Sequence, residues 1–252
     1  MSVPVTLLRC ARPYPLSAWL AALFLLLHGG LRLTLAAATW QAAQLNAPSL
    51  LTVMGVGLLF DLATLALVLP ALLAFEGALG RRRPAGPLRR LLVWGVAAVL
   101  LFALGFGVLA EWFFWDEFGA RFNFIAVDYL VYTHEVVGNI RESFPVGALL
   151  GALAVLVAAA VWASRDWLAR AATPDAPRAV RVALGFASLA VAAGVAAGFS
   201  IEQRRGANEY QRELSANGLY SFGHAFTHNA IDYFDFYATR AGTPLAPAAE
   251  LP

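Results

Sequence analysis

The chain has 252 residues, of which 60% are hydrophobic and 13% charged, with a formal net charge of +2. Soluble domains of this size carry about 25% charged residues, so the composition excludes an ordinary soluble core. All 18 basic residues are arginine, and no basic stripe interleaved with aromatics marks a nucleic-acid surface. The single cysteine, Cys10, excludes an internal disulfide and a cysteine metal cluster, and it lacks the flanking sequence of a lipoprotein signal.

Apolar blocks of 20 or more residues alternate with short charged connections. That is the pattern of helices crossing a hydrocarbon core of roughly 30 Å at 1.5 Å per residue. The first block covers residues 16–38 and contains His28 and Arg32. Arg9 and Arg12 precede it and Ala36, Ala37 and Ala38 end it, as in a secretory signal. It is too long for a signal's apolar region and holds an arginine near its far end, so it reads as an uncleaved first span. The second span covers residues 49–75, with Asp61 inside it and Pro70 either kinking or ending it. The third covers residues 91–110. The fourth covers 145–164 and opens on Pro145, which suits a first helical turn. The fifth covers 180–200. Gly147 with Gly151, and Gly194 with Gly198, put small residues four apart in spans four and five. Such pairs let backbones approach closely in lipid; dimerisation is one reading, and packing of these two spans against each other within the chain is the expected one.

Arginine placement sets the expected orientation. Arg9 and Arg12 precede span one. Arg81, Arg82, Arg83, Arg89 and Arg90 lie between spans two and three, and Arg165, Arg170, Arg178 and Arg181 between spans four and five. The opposite loops contain few arginines, and residues 111–144 hold six acids against Arg121 and Arg141. By the positive-inside rule the N-terminus is cytoplasmic and everything after Ser200 is extracytoplasmic. The expected location is a bacterial cytoplasmic (inner) membrane.

Residues 111–144 are too long and too aromatic for a plain connector. Trp112, Phe113, Phe114 and Trp115 suit an interfacial aromatic belt. At 100° per residue, Arg121, Asp128, Tyr132, Glu135, Asn139 and Glu142 fall within roughly 80° of one another, with Ala126, Leu130, Val137 and Ile140 opposite. An amphipathic helix over about residues 121–142, lying on the outer membrane surface, is therefore predicted. Its polar face reads either as a solvated surface or as a substrate vestibule or domain dock, with Arg121, Asn123, Asp128, Tyr132, Glu135, Asn139 and Arg141 as docking or headgroup candidates.

Within the membrane, His28, Arg32 and Asp61 form a candidate polar cluster. Unpaired, each would cost roughly 2.5–3.5 kcal/mol at the helix centre. His28 and Arg32 share one helical face, and Asp61 meets it if spans one and two are antiparallel neighbours. A structural ion pair and a polar cavity admitting a headgroup or proton are the two readings.

After Ser200 the chain turns polar. Residues 209–217 suit a short amphipathic helix that stops at Gly218. Residues 201–240 read as an extracytoplasmic juxtamembrane segment, and residues 241–252 have a linker's composition.

The run Arg121-Phe122-Asn123-Phe124-Ile125-Ala126-Val127-Asp128-Tyr129-Leu130-Val131-Tyr132-Thr133, continued by Glu135 to Ile140 and Glu142 to Pro145, resembles the outer loop of lipoteichoic-acid-synthase-like membrane proteins of the sulfatase superfamily. Phe60-Asp61-Leu62, and the stretch from Asn217-Gly218-Leu219-Tyr220 to Asp232-Tyr233, are similar too. The resemblance implies an all-α membrane region of five spans. In that family it precedes an extracytoplasmic alkaline-phosphatase-like domain that transfers phosphoglycerol or related headgroups from phospholipid. That domain uses a threonine nucleophile and manganese or magnesium. No position here matches the nucleophile or the metal ligands, so no catalytic or metal-binding residue is assigned. His224 and His228 lie four apart without an acid to complete a metal site, and read as a solvated helix face.

The resemblance thus implies a membrane-anchoring module, inactive by itself, that presents a lipid donor to a sulfatase-like domain supplied in cis or by another gene. Expected partners are membrane lipids and that domain, with no nucleic acid. The rival readings are a stand-alone structural membrane protein and, with less support from paired charges or internal symmetry, a small transporter.

Overall fold

The computed structural model describes residues 14–79, 86–131, 133–170 and 178–227. Within them every regular element is helical: α1 Pro15–Ala38, α2 Ala47–Leu79, α3 Pro87–Phe118, α4 Phe124–Val131, α5 Thr133–Ser143, α6 Val146–Ala163, α7 Arg165–Ala169, α8 Arg178–Gly198, α9 Glu209–Leu214 and α10 Gly218–Thr227. Five of them (α1, α2, α3, α6 and α8) are long and apolar enough to cross a membrane. The chain is an all-α, multi-pass membrane protein.

Local chemistry sets the helix ends. Pro15 and Pro87 occupy first turns, where the missing N–H has no intrahelical role. Asn46 Oδ1 accepts from Ser49 N while Ser49 Oγ accepts from Asn46 N, both at 2.9 Å, a reciprocal cap on α2. α3 ends on Gly119, whose φ of 63° is left-handed and suits glycine. α2 runs through Pro70 to Leu79, so the proline does not end the span.

The helices stand in the order α8, α2, α1, α3, α6. The first span packs between the second and third, α8 lines the far side of α2, and α6 lines the far side of α3. Spans four and five are therefore held apart, contrary to the pairing expected from their glycines. A Cβ at Gly147, Gly151, Gly194 or Gly198 would meet nothing within 4 Å. The close approach on α6 falls instead at Gly105 of α3, where a Cβ would stand 2.6 Å from Leu153 Cδ1. In an alanine-rich helix, small residues mark no face by themselves.

One apolar core joins Leu16 and Leu20 of α1 to Val93, Ala97 and Leu101 of α3 and to Leu153, Val157 and Val161 of α6. At this end Trp167 Nε1 donates to Pro15 O, Trp19 Nε1 to Ser164 Oγ and Tyr14 Oη to Arg181 O, each at 2.8 Å. A second core, around Leu31, Leu35, Val53, Trp115 and Leu214, lies at the opposite end, where the C-terminal segment packs. We call that the tail end.

Glu76 caps the start of α1 from the neighbouring helix. Its carboxylate accepts from Leu16 N at 2.9 Å, Ser17 N at 2.8 Å and Ser17 Oγ at 2.7 Å, all buried. An anion at a helix N-terminus is favoured by the free N–H groups and the macrodipole. Glu76→Ala is expected to lower stability by about 1.5–3 kcal/mol, the range for hydrogen bonds to a charged group. Glu76→Gln, which keeps one carbonyl acceptor, is expected to fall between. Thermal unfolding in detergent would check both.

Candidate functional site

The ionisable groups of α1 and α2 meet at the tail end. The Arg32 guanidinium holds Asp61 bidentately, Nη1 to Oδ2 at 2.7 Å and Nη2 to Oδ1 at 2.8 Å, with both side chains almost fully buried. Arg32 also donates to three carbonyls: Gly57 O at 3.0 Å, Leu214 O at 3.0 Å and Ala216 O at 3.1 Å. Gly57 is required here, because a Cβ at that position would overlap the guanidinium. Two of the carbonyls belong to the tail. Asn217 Nδ2 donates to Asp61 Oδ1 at 2.8 Å, so the tail bonds both members of the pair.

A second ion pair lies beside the first. Arg121 Nη1 pairs with Glu111 Oε1, and each side chain is 1% exposed. Arg121 also reaches the tail, its backbone N–H donating to Glu213 Oε2 at 2.9 Å and its Nε to Glu213 O at 3.3 Å. Glu213 pairs on its other oxygen with Arg204. His28 belongs to this second cluster, not to Asp61's. Its Nδ1 stands 3.9 Å from Glu111 Oε2, beyond hydrogen-bond reach, and neither ring nitrogen has a hydrogen-bond partner among the described residues.

Ordinary packing completes the attachment. Asn208 Nδ2 and Gln211 Nε2 both donate to Ala43 O, at 3.0 and 2.8 Å, tying α9 to the turn between α1 and α2. Phe60, Phe199 and Tyr220 meet edge to face at 4.7–5.4 Å between ring centroids, joining α2, the end of α8 and α10. Tyr220 Oη donates to Phe199 O at 2.7 Å. Burial raises the Tyr220 phenol above its ordinary value, so it stays neutral and keeps that donor. Asn217 Oδ1 accepts from Tyr220 N at 3.1 Å and caps α10.

Gly218 therefore begins α10, where a helix stop was expected. The glycine is needed for close approach: a Cβ there would overlap the Glu111 carboxylate, which is fixed by Arg121 and has no room to swing aside. Gly218→Val is expected to cost about 1–3 kcal/mol as overpacking and to lift the tail off the bundle. In a background lacking Cys10, a Ser215→Cys reporter, whose position is fully buried, should be protected from maleimide in the parent and labelled after Gly218→Val. Equal protection in both would show that the tail tolerates the side chain.

The outer-segment candidates fare differently. Arg121 lies before α4, so its assignment to a helical polar face is corrected: it is buried and points into the bundle. Asn123 caps α4, its Oδ1 accepting from Ile125 N at 2.9 Å. Asp128 in α4 and Arg141 in α5 are exposed. Of the helix predicted over 121–142, residues 124–131 and 133–143 are helical as α4 and α5, and residue 132 between them lies outside the described residues. Tyr132 and the side chains of Glu135 and Asn139 lie outside the described residues, as do His228 and the segment 228–252. Sequence reading missed Glu111, Glu213, Asn217 and Gly57 as members of the site.

Among the described residues, no three His, Cys, Asp or Glu side chains form a set able to hold a metal ion. No protein-family model, curated protein or solved structure matches the chain.

Proposed function

We propose that this chain is the membrane module of a sulfatase-like phospholipid-headgroup transferase, lying in a bacterial cytoplasmic membrane with its tail end outside. On this reading it holds an extracytoplasmic catalytic domain, in cis or separately encoded, at a fixed height and angle over the lipid surface. The carrying observation is the clamp. Residues 208–220 are bonded to Arg32 of α1, Asp61 of α2, the turn between those helices and the Arg121 turn, mostly through buried charges, where a plain membrane anchor needs only a flexible exit. The resemblance of the 121–133 run and the Asn217-Gly218-Leu219-Tyr220 stretch to the lipoteichoic-acid-synthase-like family supplies the class of enzyme. A transport role finds less support in the same residues, because all three guanidinium nitrogens of Arg32 are bonded within the chain.

The test is turnover of headgroup-labelled phosphatidylglycerol in cells with and without the gene, with manganese present or chelated. Metal-dependent release of diacylglycerol should fall when the gene is deleted and return when it is restored. Restoration with Asp128→Arg and Glu135→Arg together is expected to recover severalfold less, as these acids are read as facing the catalytic domain. Identical lipid turnover with and without the gene would remove the transferase reading.

A further inference from the structure

The bundle holds a second feature, a groove lined by residues of both α1 and α2. We propose that the groove bounded by α1, α2, α3, α8 and α10 is a binding site for one membrane phospholipid, with an acyl chain along α2 and the headgroup beside α10. The groove has a volume of about 910 Å³. Most of its wall is apolar, with Leu20, Leu72 and Leu100 among the lining residues. Thr64, also in the wall, donates to Phe60 O at 2.8 Å within its own helix and asks for no polar partner. Polar groups gather at one end only: Ser200, Tyr220, His224 and Thr227. Ser200 Oγ accepts from Glu202 N at 3.2 Å and keeps its own proton to donate to a headgroup oxygen.

Three observations choose the occupant. The walls belong to membrane-spanning helices, and Leu67 and Val68 at the mouth are 42% and 48% exposed, so the groove opens sideways to where lipid is the solvent. The stretch of α2 from Thr64 to Leu72 is about 12 Å long at 1.5 Å per residue. That is close to one leaflet's share of a roughly 30 Å core and too short for a crossing helix. The single polar end matches an amphiphile whose head lies level with the end of α8. A chain moving from bilayer to groove gains little hydrophobic energy, because lipid tails are as apolar as leucine. Retention then depends on packing in the groove and on the headgroup contacts, and the lipid exchanges. This inference does not depend on the transferase reading, since a lipid site serves a structural membrane protein equally.

The chain in nanodiscs, with phosphatidylglycerol or phosphatidylethanolamine carrying a photoreactive diazirine in one acyl chain, provides the test by peptide mapping of the adducts. Adducts should be enriched severalfold over residues 64–72 and 100–104 relative to the exposed α6 face at Val155 and Leu156. Filling the groove with Ala103→Trp and Ala196→Phe should abolish the enrichment, and the parent map stands alone if that variant does not fold. Enrichment with one phospholipid or both supports the site. Uniform labelling of both faces overturns it, as do chain-to-chain adducts at the groove without lipid adducts. Equal enrichment with a diazirine-labelled diacylglycerol overturns the headgroup assignment.

Discussion

Arg32→Met is expected to destabilise the protein by about 3–5 kcal/mol, because it leaves Asp61 as an uncompensated buried charge. Asp61 would retain only Asn217 Nδ2 as a hydrogen-bond donor from the present set. Arg32→Lys should recover little: an ammonium cannot hold the carboxylate bidentately and also reach three carbonyls. The informative variant is the double replacement Arg32→Met with Asp61→Leu. A buried ion pair replaced whole by apolar groups is often neutral in stability. Here recovery should be partial, since Gly57 O, Leu214 O and Ala216 O lose their donor in either case, at about 1 kcal/mol per bond. Chaotrope unfolding in detergent measures the series. The unrecovered remainder is the share that attaches the tail. Full recovery in the double variant would mean that the carbonyls find other donors and that Arg32 serves Asp61 alone.

Much of this architecture was legible in the sequence because the bilayer imposes a length. Five apolar blocks were found, since no other environment tolerates them, and each corresponds to a long helix. The third apolar block ends at residue 110, next to the acid Glu111. The helix continues to Phe118 because Arg121 neutralises that acid inside the protein. Helical phase failed at Arg121 for a related reason. An angle of 100° per residue applies only within a helix, and α4 starts at Phe124, after the Asn123 cap. Arg32 and Asp61 were legible as a cluster, since isolated charges at that depth are costly. Their tail partners were not, because Leu214, Ala216 and Asn217 are more than 150 positions away and contribute mostly backbone carbonyls, which carry no residue code. Gly218 was noticed for the wrong reason: a helix stop and a close approach both demand glycine, and only the neighbouring Glu111 distinguishes them.

Glu111→Leu is expected to be the second large loss, near the lower end of about 3–5 kcal/mol, because it strands the Arg121 guanidinium in the bundle. The acid that still contacts Arg121 is Glu213, which already accepts from Arg121 N and pairs with Arg204. A turn of Arg121 towards Glu213 would relieve part of the cost while drawing that carboxylate away from Arg204. Adding Arg121→Leu should restore most of the stability, as the isolated charge is then removed. Glu213→Gln should cost less, about 1 kcal/mol, because Arg204 is 27% exposed and the pair is partly solvated. Salt separates the two contributions: the Debye length falls from about 10 Å at 0.1 M to about 3 Å at 1 M, and exposed pairs are screened far more than buried ones. Unfolding at low and high salt should therefore shrink the Glu213→Gln effect and leave the Glu111→Leu effect nearly unchanged. If salt shrinks both alike, Glu111 and Arg121 meet in a water-filled opening, and the tail is held by its backbone bonds to Arg32 instead of by this chain of charges.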